Sequence, residues 1–143
     1  HVRHDPTAQE IAETTVACAS HVERFGLTPK IALLSHSDFG SSDSRTAVKM
    51  REALALIRDR APALEVDGEM QADTALSELI RERVLPQSRL SGEANVLIMP
   101  NLDAANIAYQ LTKVLADALP VGPILIGPAK PAHVVTPSIT ARG

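Results

Sequence analysis

Apolar residues occur along this chain in two patterns: short unbroken runs, and longer segments in which they recur every three or four positions. The short runs are typical of strands buried on both faces of a sheet, and the longer segments are typical of amphipathic helices. The runs predict strands at residues 30–35, 64–66, 96–99, 122–126 and 133–135. The helical pattern predicts helices at residues 5–26, 44–60, 73–85 and 103–118. This alternation predicts an α/β fold, with helices on both faces of a mainly parallel sheet.

The ends and inner faces of the helices follow from the same pattern. Asp5 suits an N-cap, Pro6 suits the first helical position, and Gly26 suits a left-handed C-terminal cap. Four groups of apolar side chains at helical spacing are predicted to face the core: Ile11, Thr15, Cys18, Val22 and Phe25; Val48, Met50, Leu54 and Ile57; Ala72, Leu76, Leu79, Ile80 and Val84; Ile107, Leu111, Val114 and Leu115. The basic residues of the second helix are predicted to face solvent, namely Arg45, Lys49, Arg51, Arg58 and Arg60.

The stretch at residues 95–110, NVLIMPNLDAANIAYQ, predicts a strand that ends directly at a helix N-terminus. Pro100 stops the strand because proline cannot donate a hydrogen bond to the sheet. Asn101 and Asp103 offer side-chain oxygens to the unpaired N–H groups of the first helical turn. A helix N-terminus favours anions, so this stretch is a candidate site for a phosphorylated ligand.

Composition narrows the classes of partner. The 143 residues carry a net charge of −3 with acidic and basic residues interspersed, which favours neither nucleic acid nor an anionic membrane surface. No apolar run is long enough to cross a bilayer, and no signal peptide is recognisable. The single cysteine, Cys18, fits a reducing cytoplasm and is interpreted as a small buried hydrophobic residue rather than a reactive thiol.

Several common site types are disfavoured. The chain contains neither GxGxxG nor a P-loop motif, and no GxSxG nucleophile elbow. A triad of Ser37, His36 and Asp43 is disfavoured because neighbouring residues of one loop rarely reach that geometry. Asp67, Glu69 and Asp73 could bind a hard cation, but helix capping and hydrogen bonds to nearby loops are the simpler interpretation. His36 and His133 lack zinc-site spacing, so no metal site is predicted.

Four loops are predicted at the carboxyl edge of the sheet, where ligands bind in open α/β folds. They are residues 35–44, 67–73, 100–106 and 127–130. Their small hydroxyls, amides and backbone N–H groups suit a phosphate-bearing or thioester ligand, and Lys130 either neutralises a phosphate or is a solvated loop lysine. The candidate ligand-binding residues are Ser35, Ser37, Gly40, Ser41, Ser42, Asn101, Asp103, Asn106, Gly127, Lys130 and Thr136.

Three motifs in order resemble the phosphate acetyl/butyryltransferase family: DGEMQAD at residues 67–73, NVLIMPNLDAANIAY at 95–109 and GPILIGPAKP at 122–131. The resemblance implies a three-layer α/β/α fold related to the isocitrate and isopropylmalate dehydrogenases. It also implies a homo-oligomer that binds a coenzyme A thioester in a cleft. Residues 1–143 would be a fragment of a larger two-domain unit, mostly its second subdomain.

SHSDFGSSDS at residues 35–44, followed by AVKMREAL at 47–54, is similar to the C-terminal domain of large bacterial NADP-dependent malic enzymes. This resemblance implies a regulatory domain with acetyl-CoA as effector, while NADP and a divalent metal serve a separate catalytic part. In this resemblance, transacetylases carry Ser, Arg and Asp at the positions that are Thr136, Pro137 and Gly143 here. Proline cannot replace the arginine cation, so we expect no transacetylase activity. An active phosphate acetyltransferase and a purely structural dimerisation module are the alternatives.

Overall fold

The computed structural model describes residues 3–128 and residue 132. Within them the chain forms α1 (Ala8–Arg24), β1 (Ile31–Leu34), α2 (Arg45–Arg60), β2 (Val66–Met70), α3 (Ala72–Leu76), α4 (Glu78–Val84), β3 (Val96–Ile98) and α5 (Leu102–Leu115). The predicted strand at 133–135 lies outside the described residues, as do Lys130, Thr136, Pro137 and Gly143. No helix in the described part of the chain is both long enough and apolar enough to cross a membrane.

The sheet is parallel, with strand order β2-β1-β3. Ile31 pairs with Val66 on one side and with Val96 on the other, so all three strands begin at the same edge. The central strand, β1, is buried on both faces, as its unbroken apolar run predicts. Since parallel strands run the same way, the loops that follow them meet at the opposite edge.

Helices cover both faces of this sheet, which confirms the predicted α/β fold. On one face α1 and α2 pack on Ile31, Leu33, Val66 and Val96. On the other, Ala75 of α3 and the segment from Leu90 to Ala94 pack on Ala32, Leu34 and Met70. The alternation of residues along β1 between these two clusters follows from the two-residue period of a strand.

The first helix begins later than predicted. Thr7, and not Asp5, is the N-cap: its hydroxyl accepts from Glu10 N at 3.2 Å, while the Glu10 carboxylate accepts from Thr7 N at 2.9 Å. This reciprocal capping box satisfies two N–H groups at the start of the helix. At the other end Gly26 takes φ +77° as predicted, but Phe25 is 63% exposed, so the predicted inner face of α1 ends before it.

The segment after α2 differs most from the prediction. The second strand runs over Val66–Met70, so Asp67 and Glu69 lie inside a buried strand and not in a loop. The predicted helix at 73–85 is two helices, because Ser77 has extended backbone and caps α4 by accepting from Ile80 N. Ser77 also turns the chain, and as a result Leu76, Leu79 and Val84 are exposed rather than inward. The Ser77 hydroxyl can accept from the N–H groups of a new first turn, so a second helix begins here although the apolar periodicity is continuous.

The predicted helix at 103–118 and the predicted strand at 122–126 do not pack as expected. The α5 helix has the predicted start and nearly the predicted length, but none of its residues is buried. The predicted strand at 122–126 is not part of the sheet: Ile124 forms only an isolated bridge, and Leu125 N donates to Ala132 O at 3.1 Å. The burial of α5 and the pairing of residues 122–126 were mispredicted for the same reason. An apolar pattern predicts that a face packs against something, but it does not show which segment packs there.

Candidate functional site

The loop after β1 is built around the carboxylate of Glu69, which is fully buried. Its Oε1 accepts from the Ser37 hydroxyl at 3.1 Å, from Gly40 N at 2.9 Å and from Arg51 at 3.0 Å. Glu69 O also accepts from Phe39 N at 2.7 Å. These bonds reach residues 37–40, so a single residue of β2 fixes the conformation of the residues that follow β1.

Arg51 supplies the positive charge that this buried carboxylate requires. Besides Glu69, it donates to the backbone O of Ser42 at 2.8 Å and to Asp43 at 3.0 Å. The predicted solvent-facing position of Arg51 is therefore wrong, since its side chain points back from α2 to the loop and the sheet. Its hydrogen bonds close the loop at residues 42–43, opposite the bonds that Glu69 makes at residues 37–40.

The loop backbone is shaped by two consecutive residues with positive φ, Phe39 at +44° and Gly40 at +89°. This turn aims the Gly40 N–H at Glu69, and a glycine tolerates it without steric cost. On the far side, Asp38 accepts from Gln71 N at 2.8 Å and ties the loop to the start of α3. The loop is thus held from α2, β2 and α3 together.

Asp67, two residues before Glu69 on β2, is a second buried carboxylate that forms an ion pair. Its Oδ1 accepts from Arg58 at 2.9 Å, and its Oδ2 accepts from the Ser88 hydroxyl at 2.9 Å and from Arg89 N at 2.7 Å. Arg58, predicted to face solvent, is 39% exposed and at the same time pairs with this buried carboxylate. The Asp67 carboxylate is thus bound by Arg58 and by a neighbouring loop. The residues that the structure describes contain no cluster of three metal-ligating side chains.

Beside these two ion pairs lies a cavity of about 420 Å³, lined in part by Phe39, Arg58, Asp67 and Glu69. Glu69 Oε2 and Arg58 Nε are buried polar atoms without a hydrogen-bond partner. Within the described chain this pair of residues therefore keeps one acceptor and one donor atom unsatisfied next to a single cavity.

The loops after β1 and β3 meet at a second cavity, of about 410 Å³. It lies between the carboxyl ends of the two strands and α5, where the parallel topology predicts a site. The lining combines small or apolar residues with three polar ones, and comprises Leu34, Ser35, His36, Thr46, Ala72, Met99, Pro100, Ala104 and Ala108. Ala104 and Ala108 lie one helical turn apart, so α5 presents only methyl groups here and leaves the space open.

The turn between β3 and α5 is firmly held. Lys49, which is only 14% exposed, donates to Pro100 O at 2.9 Å and to Asp5 at 2.5 Å. Asn101 caps α5 by accepting from Ala104 N at 2.9 Å, as predicted. The Leu102 N–H donates to His4 O at 3.0 Å. Much of the donor capacity that could hold an anion at this helix start is therefore already used within the chain.

The predicted site residues divide between the two regions. Ser37 and Gly40 bind Glu69, Ser41 accepts from Asp38 N at 3.1 Å, and Ser42 accepts from Ser44 N at 3.2 Å, so these four shape the loop. Ser35 lines the cavity at the end of β1. Asp103, Asn106 and Gly127 are exposed. Lys130 and Thr136 lie outside the described residues.

The loop shows no catalytic triad. His36 Nε2 contacts the Ser42 hydroxyl at 3.3 Å, whereas Ser37 bonds to Glu69 and Asp43 pairs with Arg51. The three residues that could have formed a triad therefore have three different partners. This geometry agrees with the interpretation that the loop is not that of a hydrolase.

Sequence reasoning missed the residues that matter most to this arrangement, Arg51, Glu69 and Lys49. One signal was available in the spacing of these charges. Asp67 and Glu69 are two residues apart, and Arg51 and Arg58 are seven residues apart on the preceding helix. Two turns of a helix place such arginines on one face. The small side chains of Ala104 and Ala108 carried no signal, because alanine is common in any helix.

The parallel sheet, the helices on both faces and the cavity at the carboxyl strand ends define an α/β domain with a cavity at the edge where open parallel sheets place their sites. The family model for phosphate acetyl/butaryl transferase matches residues 1–143, and the chain belongs to that family.

Relatives and solved structures place the chain within that family. It is 58% identical to an NAD-dependent malic enzyme of Rhizobium meliloti over 143 residues, which is 100% of this chain and 19% of the relative. It is 52% identical to an NADP-dependent malic enzyme of Escherichia coli, covering 99% of this chain and again 19% of the relative. The structure of the EutD phosphotransacetylase from Staphylococcus aureus superposes with a TM-score of 0.91 at 34% identity, covering 98% of this chain and 44% of that one. The chain thus spans about a fifth of these malic enzymes.

Proposed function

We propose that this chain is a regulatory, acetyl-CoA-binding domain of a malic enzyme, and that the cavity between β1, β3 and α5 holds the thioester end of the effector. The observation that supports this most directly is the cavity lining. An acyl-pantetheine arm is slender and mostly apolar, with a few amides that need hydrogen-bond partners. Small apolar walls at Ala104 and Ala108, with the polar residues Ser35, His36 and Thr46, suit such a ligand.

The regulation follows from linkage between two states. An effector changes the activity of an attached catalytic part only if it binds one state of the assembly more tightly than another. The cavity joins two loops, 35–44 and 100–106, that are anchored to separate strands, so its occupancy can report on their relative position. In this proposal the malic enzyme part decarboxylates malate oxidatively to pyruvate with NADP and a divalent metal, and the whole protein is a cytoplasmic homo-oligomer.

A loss of transacetylase chemistry is part of the proposal. Its support is the sequence at Thr136, Pro137 and Gly143, where the resemblance would require a hydroxyl, a cation and a carboxylate. Neither proline nor glycine can stabilise the charge that develops in transfer of an acetyl group to phosphate. The second candidate, an active phosphate acetyltransferase, is favoured by the 34% identity to a phosphotransacetylase of the same fold. The third candidate is a structural dimerisation module without a ligand.

Two measurements on the full-length protein separate the three candidates. Calorimetric titration with acetyl-CoA gives binding heat if the domain is regulatory, and none if it is purely structural. Formation of acetyl phosphate from acetyl-CoA and phosphate would establish the transferase instead.

A cavity-filling variant tests where acetyl-CoA binds. Ala108→Leu places a larger side chain in the cavity and should weaken acetyl-CoA binding at least tenfold. The matched control is Thr14→Leu, which adds the same side chain at an exposed position of α1. Unchanged affinity in Ala108→Leu, with a normally folded protein, would remove this cavity from the proposal.

A further inference from the structure

The segment that leads into α1 is bound to both helices that flank the effector cavity. We name residues 4–6 the entry strap. The His4 O of this strap accepts from Leu102 N at 3.0 Å, in the first turn of α5. The Asp5 carboxylate accepts from Lys49 Nζ, on α2, at 2.5 Å. The entry strap therefore ties α2 to the start of α5.

Lys49 is the residue through which the strap reaches the cavity wall. Its side chain is only 14% exposed, and its ammonium donates to Asp5 and, at 2.9 Å, to Pro100 O. Pro100 lines the cavity, and so does Thr46, three residues before Lys49 on α2. Because one ammonium binds both the strap and the wall, a displacement of Asp5 changes the bond that holds the Pro100 carbonyl.

The start of α2 also needs a negative charge that its own sequence does not supply. Its first turn contains no acidic residue and begins with Arg45, although a helix N-terminus favours negative charge. Asp5 supplies this charge from the strap through ion pairs with both Arg45 and Lys49. A single exposed ion pair contributes little, but a carboxylate shared by two cations forms a network. The strap is therefore attached by several contacts that support one another.

We propose that Lys49 is a positioning residue of the effector cavity, and that the entry strap, through Asp5, couples occupancy of this cavity to the chain that precedes α1. The coupling rests on the proposed function, in which acetyl-CoA occupies the cavity. A ligand that displaces the Pro100 wall alters the bond between Lys49 and Asp5, so the attached and released strap bind it with different affinity, as linkage requires. In the proposed full-length protein the malic enzyme part precedes this domain, and the strap then lies on the covalent connection between them.

The first arm of the test is amide hydrogen exchange on the full-length protein without effector. Lys49→Met removes the ammonium and keeps an unbranched side chain, and the peptide that contains the Leu102 amide should exchange at least about fivefold faster. The matched control is Lys113→Met, the same change at an exposed position of α5, which should leave exchange of that peptide unchanged. Unchanged exchange in Lys49→Met would overturn the strap, whether or not acetyl-CoA binds.

The second arm is calorimetric titration of the same proteins with acetyl-CoA. Lys49→Met should weaken binding about tenfold and Asp5→Asn by less, whereas Lys49→Arg, which keeps the cation, should regain most of the affinity. The double variant Asp5→Asn/Lys49→Met should bind no more weakly than Lys49→Met, because Asp5 acts through Lys49.

Each result of the titration decides one claim. Wild-type affinity in Lys49→Met, or additive losses in the double variant, would overturn the positioning role while acetyl-CoA binding stands. Absence of binding by the wild-type protein would overturn the proposed function and, with it, the coupling to acetyl-CoA. The strap itself is then still decided by hydrogen exchange, so the two failures are distinguishable.

Discussion

The guanidinium of Arg51, on α2, donates a hydrogen bond of 3.0 Å to the fully buried carboxylate of Glu69, on β2. This pair connects the helix, the sheet and the loop after β1, because Glu69 also accepts from Ser37 and Gly40. The loop contributes Ser35 and His36 to the proposed effector cavity. The shape of that cavity therefore depends on an ion pair that does not line it.

Removing the cation should destabilise the chain strongly. Arg51→Ala leaves Glu69 buried without its counter-charge, and we expect a loss of about 3 kcal/mol in the free energy of unfolding. Urea unfolding followed by circular dichroism measures it. Arg83→Ala on the exposed side of α4 is the control and should change stability by less than about 0.5 kcal/mol. Equal stability of the two variants would show that the pair is not structurally required.

Gly68 should not tolerate a side chain. Its φ is +143°, and an added Cβ would lie 2.6 Å from Leu33 O and 2.9 Å from Leu33 Cβ, both in the neighbouring strand. Gly68→Ala should therefore cost roughly 3 kcal/mol or prevent folding. Gly26→Ala is the control: its φ of +77° strains alanine, but the space around it is open, so we expect a loss of only about 1 kcal/mol. Thermal melting of both variants gives the comparison.

Arg81 joins α4 to the two segments around it. It is 1% exposed, and its guanidinium donates to the backbone carbonyls of Thr74 at 3.2 Å and Leu90 at 3.3 Å, and also to Gly92. Arg81→Met keeps much of the volume but leaves these carbonyls unpaired, and should lower the unfolding free energy by about 2–3 kcal/mol. Arg81→Lys should recover part of that loss. Stability of Arg81→Met equal to wild type would contradict this role.

Stability should fall in acid because two carboxylates, those of Asp5 and Glu10, have lowered pKa values in the folded chain. A hydrogen bond from Lys49 and its charge lower the pKa of Asp5 below its usual 3.8, and a hydrogen bond from Thr7 N lowers the pKa of Glu10 below 4.5. Each therefore contributes stability above its usual pKa that is lost as pH falls through the lower, folded-state value. Melting temperature measured from pH 6 to pH 2 should show a smaller decrease for Asp5→Asn than for wild type. Parallel curves would contradict the assignment.

Cys18 should react slowly in the folded protein. Burial against the core raises the pKa of its thiol, which reduces the thiolate that attacks a disulfide reagent. We expect Ellman's reagent to modify Cys18 at pH 8 at least tenfold more slowly in buffer than in 6 M urea. Equal rates would show that Cys18 is a reactive surface thiol.

Local patterning predicted the helices and strands well where residues close in sequence determine them. The strand at β1, the Ser44 and Asn101 helix starts, and the stop at Pro100 all follow from short-range chemistry. The prediction failed where a residue distant in sequence determines whether a segment is a turn or a strand. The sequence DGEM reads as a polar turn, and it becomes the buried β2 only because Arg51 and Arg58 reach it from α2.

The sequence by itself determined the fold class, the meeting of the β1 and β3 loops, and the resemblance to an acyltransferase family, because period and motif order are properties of neighbouring residues. Only the tertiary structure decided that Glu69 organises the loop, that Ala104 and Ala108 leave a cavity open, and that the apolar face of α5 is exposed among the described residues. Burial of a charge and exposure of an apolar stripe both depend on which distant segments come together, and a pattern along one segment does not contain that information.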